Sequence, residues 1–261
     1  MYYIIHIATA FQSIKAQRPE IQELIWTRTQ RHFRLKEPEH PILSATLEQY
    51  LKKETPDTPA INVALKTKMA LTPEFGQVIA VARALVNNGQ SPKMKVDISQ
   101  TPQGEKDLLR EFWKKLGTFI HNCGTPTFVT WNGLEFTFPF LTERSASLGI
   151  EPSCVLPRAR FQPWKHLDLL AELGAYDPRR YISLRSRMAL WGLTLNGNGK
   201  ENGFENPDTL IEQWRRGNSA PLEENLKLTL LAIHQILNKT SPFLFRTGHN
   251  GERHLPQISP A

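Results

Sequence analysis

Residues 77–86 read Gln-Val-Ile-Ala-Val-Ala-Arg-Ala-Leu-Val, an apolar run interrupted after its first residue only by Arg83. Such a run reads as a strand inside a sheet, and it is far short of the ~18–20 apolar residues that a membrane span needs. Asn87-Asn88-Gly89 follows with the turn chemistry of a hairpin, leading into a strand over residues 94–98. The chain also opens on a β-branched and aromatic run, residues 2–7, expected to be a buried strand. Between these strands lies a stretch too long for a plain loop. Pro19 suits a first helical turn, and Ile21, Leu24, Ile25, Trp26 and Phe33 suggest an amphipathic helix that Pro38 and Pro41 end. Pro56 and Pro59 bracket a further joint. Residues 13–71 are therefore expected to be a helical insertion within a single domain spanning residues 1–245.

Downstream, Leu108, Leu109, Phe112, Trp113 and Leu116 recur at the spacing of a helix packed on a sheet, predicting a helix over residues 105–119. Residues 127–131 read as a buried strand and residues 138–148 as the helix after it. Helical patterns follow over residues 167–173, 181–191, 208–216 and 222–237. Residues 196–200, Asn-Gly-Asn-Gly-Lys, read as a connector, because they lack the strand-before, helix-after setting of a phosphate-cradling loop. Residues 246–261 are expected to be a flexible tail. Three antiparallel strands, a helical crossover and then parallel strands describe an α/β domain with a mixed sheet and flanking helices.

Composition excludes several classes. With 40% hydrophobic and 22% charged residues, the 261-residue chain is globular rather than disordered. Two cysteines, Cys123 and Cys154, rule out a disulfide scaffold and a four-cysteine zinc site. The first residues show no basic region or small-residue cleavage site, so a reducing cytoplasm is the expected setting. Thirty-two Lys and Arg against twenty-five Asp and Glu leave a net charge of +7, which favours polyanionic partners.

The most specific segment runs from Thr130 to Leu141, Thr-Trp-Asn-Gly-Leu-Glu-Phe-Thr-Phe-Pro-Phe-Leu. It resembles the second motif, Asn-Gly-x-x-Phe-Asp-x-Pro-x-Leu, of the predicted 3′-5′ exonucleases related to the proofreading domain of family B DNA polymerases. These are a branch of the ribonuclease-H-like DEDD exonucleases. Residues 73–80, residues 105–113 and the His166-Leu167-Asp168-Leu169 element, with Leu184, Leu190 and Gly192 after it, resemble further parts of the family in the same order. The resemblance spans residues 71–240 together with the first strand, and it implies the ribonuclease-H-like 3′-5′ exonuclease fold.

Against this pattern the acidic positions are substituted. The second-motif aspartate is Thr137. The first motif, Asp-Ile-Glu-Thr, corresponds to His6-Ile7-Ala8-Thr9. The third, Tyr-Cys-Glu-x-Asp-x-x-x-Thr, corresponds to residues 221–229, with Pro221 at the tyrosine and Asn225 at the aspartate. Two magnesium ions ~3.5–4 Å apart need carboxylate oxygens to offset dehydration and mutual repulsion, and His6, Ala8, Thr137 and Asn225 supply none. Pro221 likewise lacks the phenol that orients the attacking water. Glu135, Glu223 and Glu224 lie within two residues of lost positions, but on a helix a shift of one residue turns a side chain by about 100°.

The resemblance therefore implies a catalytically inactive exonuclease-like protein, with no metal or other cofactor. Two roles follow: binding single-stranded DNA or RNA in the old cleft, or serving as a non-catalytic subunit of a nucleic-acid-processing or defence complex through the insertion. An active metal-dependent exonuclease with a divergent site and a pure protein-interaction scaffold are the alternatives. For nucleic acid, Arg179, Arg180, Arg185 and Arg187 are the expected phosphate contacts and Trp131, Asn132 and Phe136 the expected base contacts. Aromatics alternating at a strand-to-helix junction are more often core. Asp168 reads as a helix cap or salt-bridge partner rather than a catalytic acid.

Overall fold

The computed structural model describes residues 1–11, 14–52, 58–87, 90–101, 103–195, 204–244, 246–247 and 253–254. Strand β1 is Tyr2–Phe11, longer than the expected run, and helices α1 (Pro19–Lys36), α2 (Leu47–Lys52) and α3 (Thr58–Ala70) follow it. Then come β2 (Gly76–Val86), β3 (Lys93–Ile98), α4 (Glu105–Cys123), β4 (Thr127–Thr130) and α5 (Phe138–Ser147). The remainder is β5 (His166–Asp168), α6 (Leu169–Leu173), α7 (Leu184–Leu190), α8 (Pro207–Arg215), α9 (Ala220–Leu244) and the two-residue strands β6 (Arg246–Thr247) and β7 (Arg253–His254).

The main sheet has the order β3-β2-β1-β4-β5. Strands β2 and β3 pair antiparallel, whereas β1 with β4 and β4 with β5 pair parallel. The sheet is mixed and helices flank it, as the sequence pattern required. Strand β2 is buried along almost its whole length, which is why its sequence does not alternate. At the edge, β3 does alternate, and Lys93 and Lys95 on its exposed side discourage pairing with another chain. Helix α4 lays Leu108, Leu109, Phe112, Trp113 and Leu116 into the core. Helix α9 buries Leu222, Leu226, Leu230, Ile233 and Leu237, one row at helical spacing.

One expectation needs correction. Residues 167–173 are not a single helix: His166–Asp168 is a parallel strand paired as Phe128↔His166, Val129↔Leu167 and Thr130↔Asp168, and the helix starts only at Leu169. A three-residue strand buried at every position has no periodicity of its own, so its apolar residues merge with those of the helix behind it. Helix α7 likewise begins at Leu184 rather than residue 181, because the Ser183 hydroxyl accepts from Ser186 N and sets the start. Asn88 and Gly89 of the expected turn, the 196–200 connector and most of the expected tail lie outside the described residues.

The chain divides into two compact units, Met1–Ala8 with Ile79–Ala261, and Thr9–Val78. The second has its own core of Ile14, Ile25, Trp26, Ile42, Tyr50, Leu65 and Met69 among others, with the Trp26 and Tyr50 rings 5.4 Å apart. Among the described residues no helix is long and apolar enough to cross a membrane.

Candidate functional site

In open α/β sheets ligands bind beyond the carboxyl ends of parallel strands. Here Thr130 ends β4 and Asp168 ends β5 beside it, while β1, paired at Ile4↔Val129, carries His6 and Ala8 onward past that register. After β4 the backbone turns sharply. Asn132 adopts a left-handed conformation (φ 65°), and Gly133 comes so close to Thr130 that a Cβ there would lie 2.1 Å from Oγ1. Asn-Gly suits this corner: Asn tolerates the left-handed region and Gly the close approach.

Asp168 fastens the corner. Its Oδ1 accepts from Asn132 N at 2.9 Å and its Oδ2 from Leu134 N at 2.9 Å, while Oδ1 also caps α6 through Leu170 N (3.2 Å) and Ala171 N (3.5 Å). Burial raises its carboxyl above the ordinary range, and the four N–H groups oppose that rise. The cap expected from the sequence is present; the hold on the turn is additional. Beside it, Thr130 Oγ1 and His166 Nε2 are 2.8 Å apart, and the His166 ring lies 4.3 Å from that of Phe138. Burial lowers the His166 imidazole to about 4, so it is neutral at physiological pH.

From Gly133 to Thr137 the chain forms one π-helical turn, with Thr137 N donating to Asn132 O at 3.2 Å. π turns recur at functional sites because the extra residue re-aims a side chain. The last residue of this turn, Thr137, is fully buried, with an Oγ1 that finds no hydrogen-bond partner.

That orphaned hydroxyl belongs to a pattern. Of the four positions that the resemblance equates with metal ligands, three carry a buried polar atom without a partner: His6 Nδ1, Thr137 Oγ1 and Asn225 Nδ2. Burial lowers the His6 imidazole to about 4. The fourth position, Ala8, has no polar side chain, and Pro221 in the first turn of α9 brings no hydroxyl. Neighbouring carboxylates do not compensate. Glu135 is exposed and faces Arg160 at 3.7 Å, Glu223 pairs with Lys227 at 2.5 Å, and Glu224 is exposed. An imidazole, a methyl, a hydroxyl and a carboxamide do not fit a pair of hard divalent cations. Among the described residues no cluster of three His, Cys, Asp or Glu side chains could hold a metal ion.

The residues expected to touch nucleic acid each have partners within the fold. Trp131 is 8% exposed and closed into the core, Phe136 packs on Phe140 at 5.4 Å, and Asn132 serves the corner. Arg179 and Arg180 are exposed and share Asp177, at 2.9 and 3.9 Å. Arg185 lies over the Phe204 ring at 5.7 Å and donates to the Phe204 carbonyl. Arg187 lies over Trp191 at 5.1 Å, so the two α7 arginines serve different partners, as their i, i+2 spacing demands. Sequence reasoning missed a further aromatic pair, Phe161 and Tyr176, whose ring centroids are 4.4 Å apart. No local pattern announces it, because the two residues lie in separate loops.

A family described as predicted 3′-5′ exonuclease related to the exonuclease domain of PolB matches residues 70–220. The chain belongs to that family. Its fold is shared with the family B DNA polymerase of the hyperthermophilic archaeon Pyrobaculum calidifontis, at a TM-score of 0.50 and 16% sequence identity. That likeness covers 66% of this chain and only 23% of the polymerase chain. No curated protein matches the chain. Both similarities support the ribonuclease-H-like exonuclease fold inferred from the segment after Thr130, and residues 70–220 contain the Asn132–Gly133 corner, Thr137 and Asp168.

Proposed function

We propose that this member of the exonuclease family holds single-stranded nucleic acid without cutting it. The observation that carries the reading is the donor set at His6, Ala8, Thr137 and Asn225: no carboxylate stands at any of the four, and the nearby acids are turned outward or paired. Removing acids from a cleft also removes repulsion towards phosphate, and the net charge of +7 acts in the same sense.

The test is release of nucleotides from a 3′-labelled single strand in Mg²⁺ or Mn²⁺, alongside a binding assay with uncut DNA and RNA. Binding without release is the expected result. Turnover that co-purifies with the protein and vanishes with EDTA would restore the reading of an active enzyme with a divergent site. Millimolar Mg²⁺ should leave the melting temperature unchanged, whereas the quadruple variant His6→Asp, Ala8→Glu, Thr137→Asp, Asn225→Asp should gain metal-dependent stabilisation.

A second reading, that the chain is a subunit of a larger nucleic-acid-processing or defence complex, is favoured by the surface of the Thr9–Val78 unit. Leu35 is 84% exposed there, and Leu24, Val63 and Leu71 are exposed as well. Under this reading a stoichiometric partner is retained by the wild type and lost with Leu35→Lys and Val63→Lys, in a purification from the native cell.

A further inference from the structure

Positive charge is left unmatched in one part of the chain. No Asp or Glu occurs from residue 178 to 200 or from residue 225 to 251, so α7 and all of α9 beyond Glu224 are free of acids. The two helices pack on each other. At their junction Trp191, the residue after α7, lies under two cations: the Arg187 guanidinium is 5.1 Å from the ring centroid and the Lys239 ammonium 5.9 Å.

Local structure fixes this arrangement. Met188, fully buried, anchors α7, and Gly192 turns the chain at φ 61°. Gln235 Nε2 then donates to Thr194 O at 3.1 Å, which ties the segment after Trp191 to α9 one turn before Lys239. A ring orients a cation without neutralising it. Arg187 Nε is buried without a hydrogen-bond partner, and among the described residues neither Arg187 nor Lys239 has a carboxylate partner. Lys227, earlier on α9, is by contrast paired with Glu223 at 2.5 Å. The end of α7 presents only about half a negative charge, short of two full positive ones. Two cations sharing one ring repel each other, and a bound anion replaces that repulsion with attraction.

Phosphate suits the place, because a guanidinium grips it through directed hydrogen bonds and an ammonium as a point charge. One turn beyond Lys239, on the same face of α9, Phe243 is 87% exposed, a ring beside the cations as single-strand sites require. This is not the substituted metal site: Lys239 lies about 21 Å beyond Asn225 along α9, at 1.5 Å per residue.

We propose that Arg187 and Lys239, set on Trp191, form a phosphate-binding site that holds the backbone of a single nucleic-acid strand away from the four substituted positions. This rests on the non-cleaving binding reading above; of the arginines expected at phosphates it selects Arg187, and it adds Lys239.

The experiment measures fluorescence anisotropy of labelled oligothymidylate with the full chain across a salt series, with polyglutamate as a competing polyanion that lacks phosphate. Arg187→Gln and Lys239→Gln should each weaken binding and flatten the log–log salt slope by roughly 0.7, the loss of one phosphate contact. Lys239→Arg should keep the wild-type slope. Lys239→Glu sets a carboxylate beside Arg187, and should weaken binding more than Lys239→Gln without lowering the melting temperature, which separates the charge from any folding defect. A wild type that binds, with both glutamine variants unchanged in affinity and slope, overturns this site and leaves the nucleic-acid reading standing. A wild type that binds no strand at low salt overturns that reading, and polyglutamate held through Arg187 and Lys239 would then assign the surface to an acidic protein partner.

Discussion

At Asp168 one carboxylate accepts from four backbone N–H groups, three through Oδ1 and that of Leu134 through Oδ2. Each buried donor left without an acceptor costs about 1–3 kcal/mol. Asp168→Ala should therefore lower unfolding free energy by at least about 3 kcal/mol in a urea titration. Asp168→Asn keeps the Oδ1 hydrogen bonds and turns an NH₂ towards Leu134 N, so its loss should be smaller, about 1–3 kcal/mol. Equal losses for the two would mean that charge, rather than acceptor geometry, holds the corner. Part of this was legible in the sequence: an Asp before Leu-Leu-Ala announces a helix cap. The grip on Asn132 and Leu134, distant in sequence, depends on β4 and β5 lying side by side, which no local pattern specifies.

At the scale of elements, long apolar patterns were easy to read and short buried segments were not. Helix α4 matches its apolar spacing and β2 its long apolar run, whereas β5, three residues long, was hidden in the apolar residues before α6. The π turn was equally invisible, because Gly133–Thr137 differs from an ordinary first helical turn by a single inserted residue. Charge, too, joins elements in a way the sequence does not announce. Arg83 of β2, nearly buried, pairs with Asp97 of β3, and Lys115 of α4 reaches the same carboxylate at 2.9 Å. Burial alone would raise the Asp97 carboxyl, but the Lys115 and Arg83 contacts outweigh it and hold the group below the ordinary range. Asp97→Ala would leave Arg83 buried without a counter-charge, a defect of about 3–5 kcal/mol when the pair is fully dry. With the Asp97 side chain 24% exposed, water softens the defect, and a loss of about 2–3 kcal/mol in chemical denaturation is expected. An Arg83→Met, Asp97→Leu double variant should recover most of that loss, because an apolar pair leaves no buried charge behind.

For the whole molecule the consequence lies in its response to acid. Burial lowers His6 and His166 from an ordinary 6.5 to about 4 each, and lowers His234 as well. Between those values the unfolded chain binds protons that the folded chain refuses, so stability is full above pH ~6.5 and is lost as pH falls towards ~4. At 1.36 kcal/mol per unit the upper bound is about 3 kcal/mol for each of His6 and His166, and partial opening of the native state reduces it. Asp97, held low, adds its own loss at the acidic end of the range. Asp168 acts in the opposite sense: its raised carboxyl takes up a proton in the folded state first and so offsets part of the loss. Urea titrations at pH 7, 6 and 5 should thus show unfolding free energy falling steadily before most carboxylates begin to protonate. His6→Gln removes one titrating ring while leaving a side chain able to hydrogen-bond, and its curve should be flatter over the same interval. His166→Gln should flatten it too, but from a lower plateau, since the ring packed on Phe138 is lost with the charge. A wild type whose stability is constant from pH 7 to 5 would mean that these imidazoles take up protons in the folded state. The orphaned His6 Nδ1 would then be open to water, and the strand that carries it would hold a positive charge where the family's pattern has a negative one.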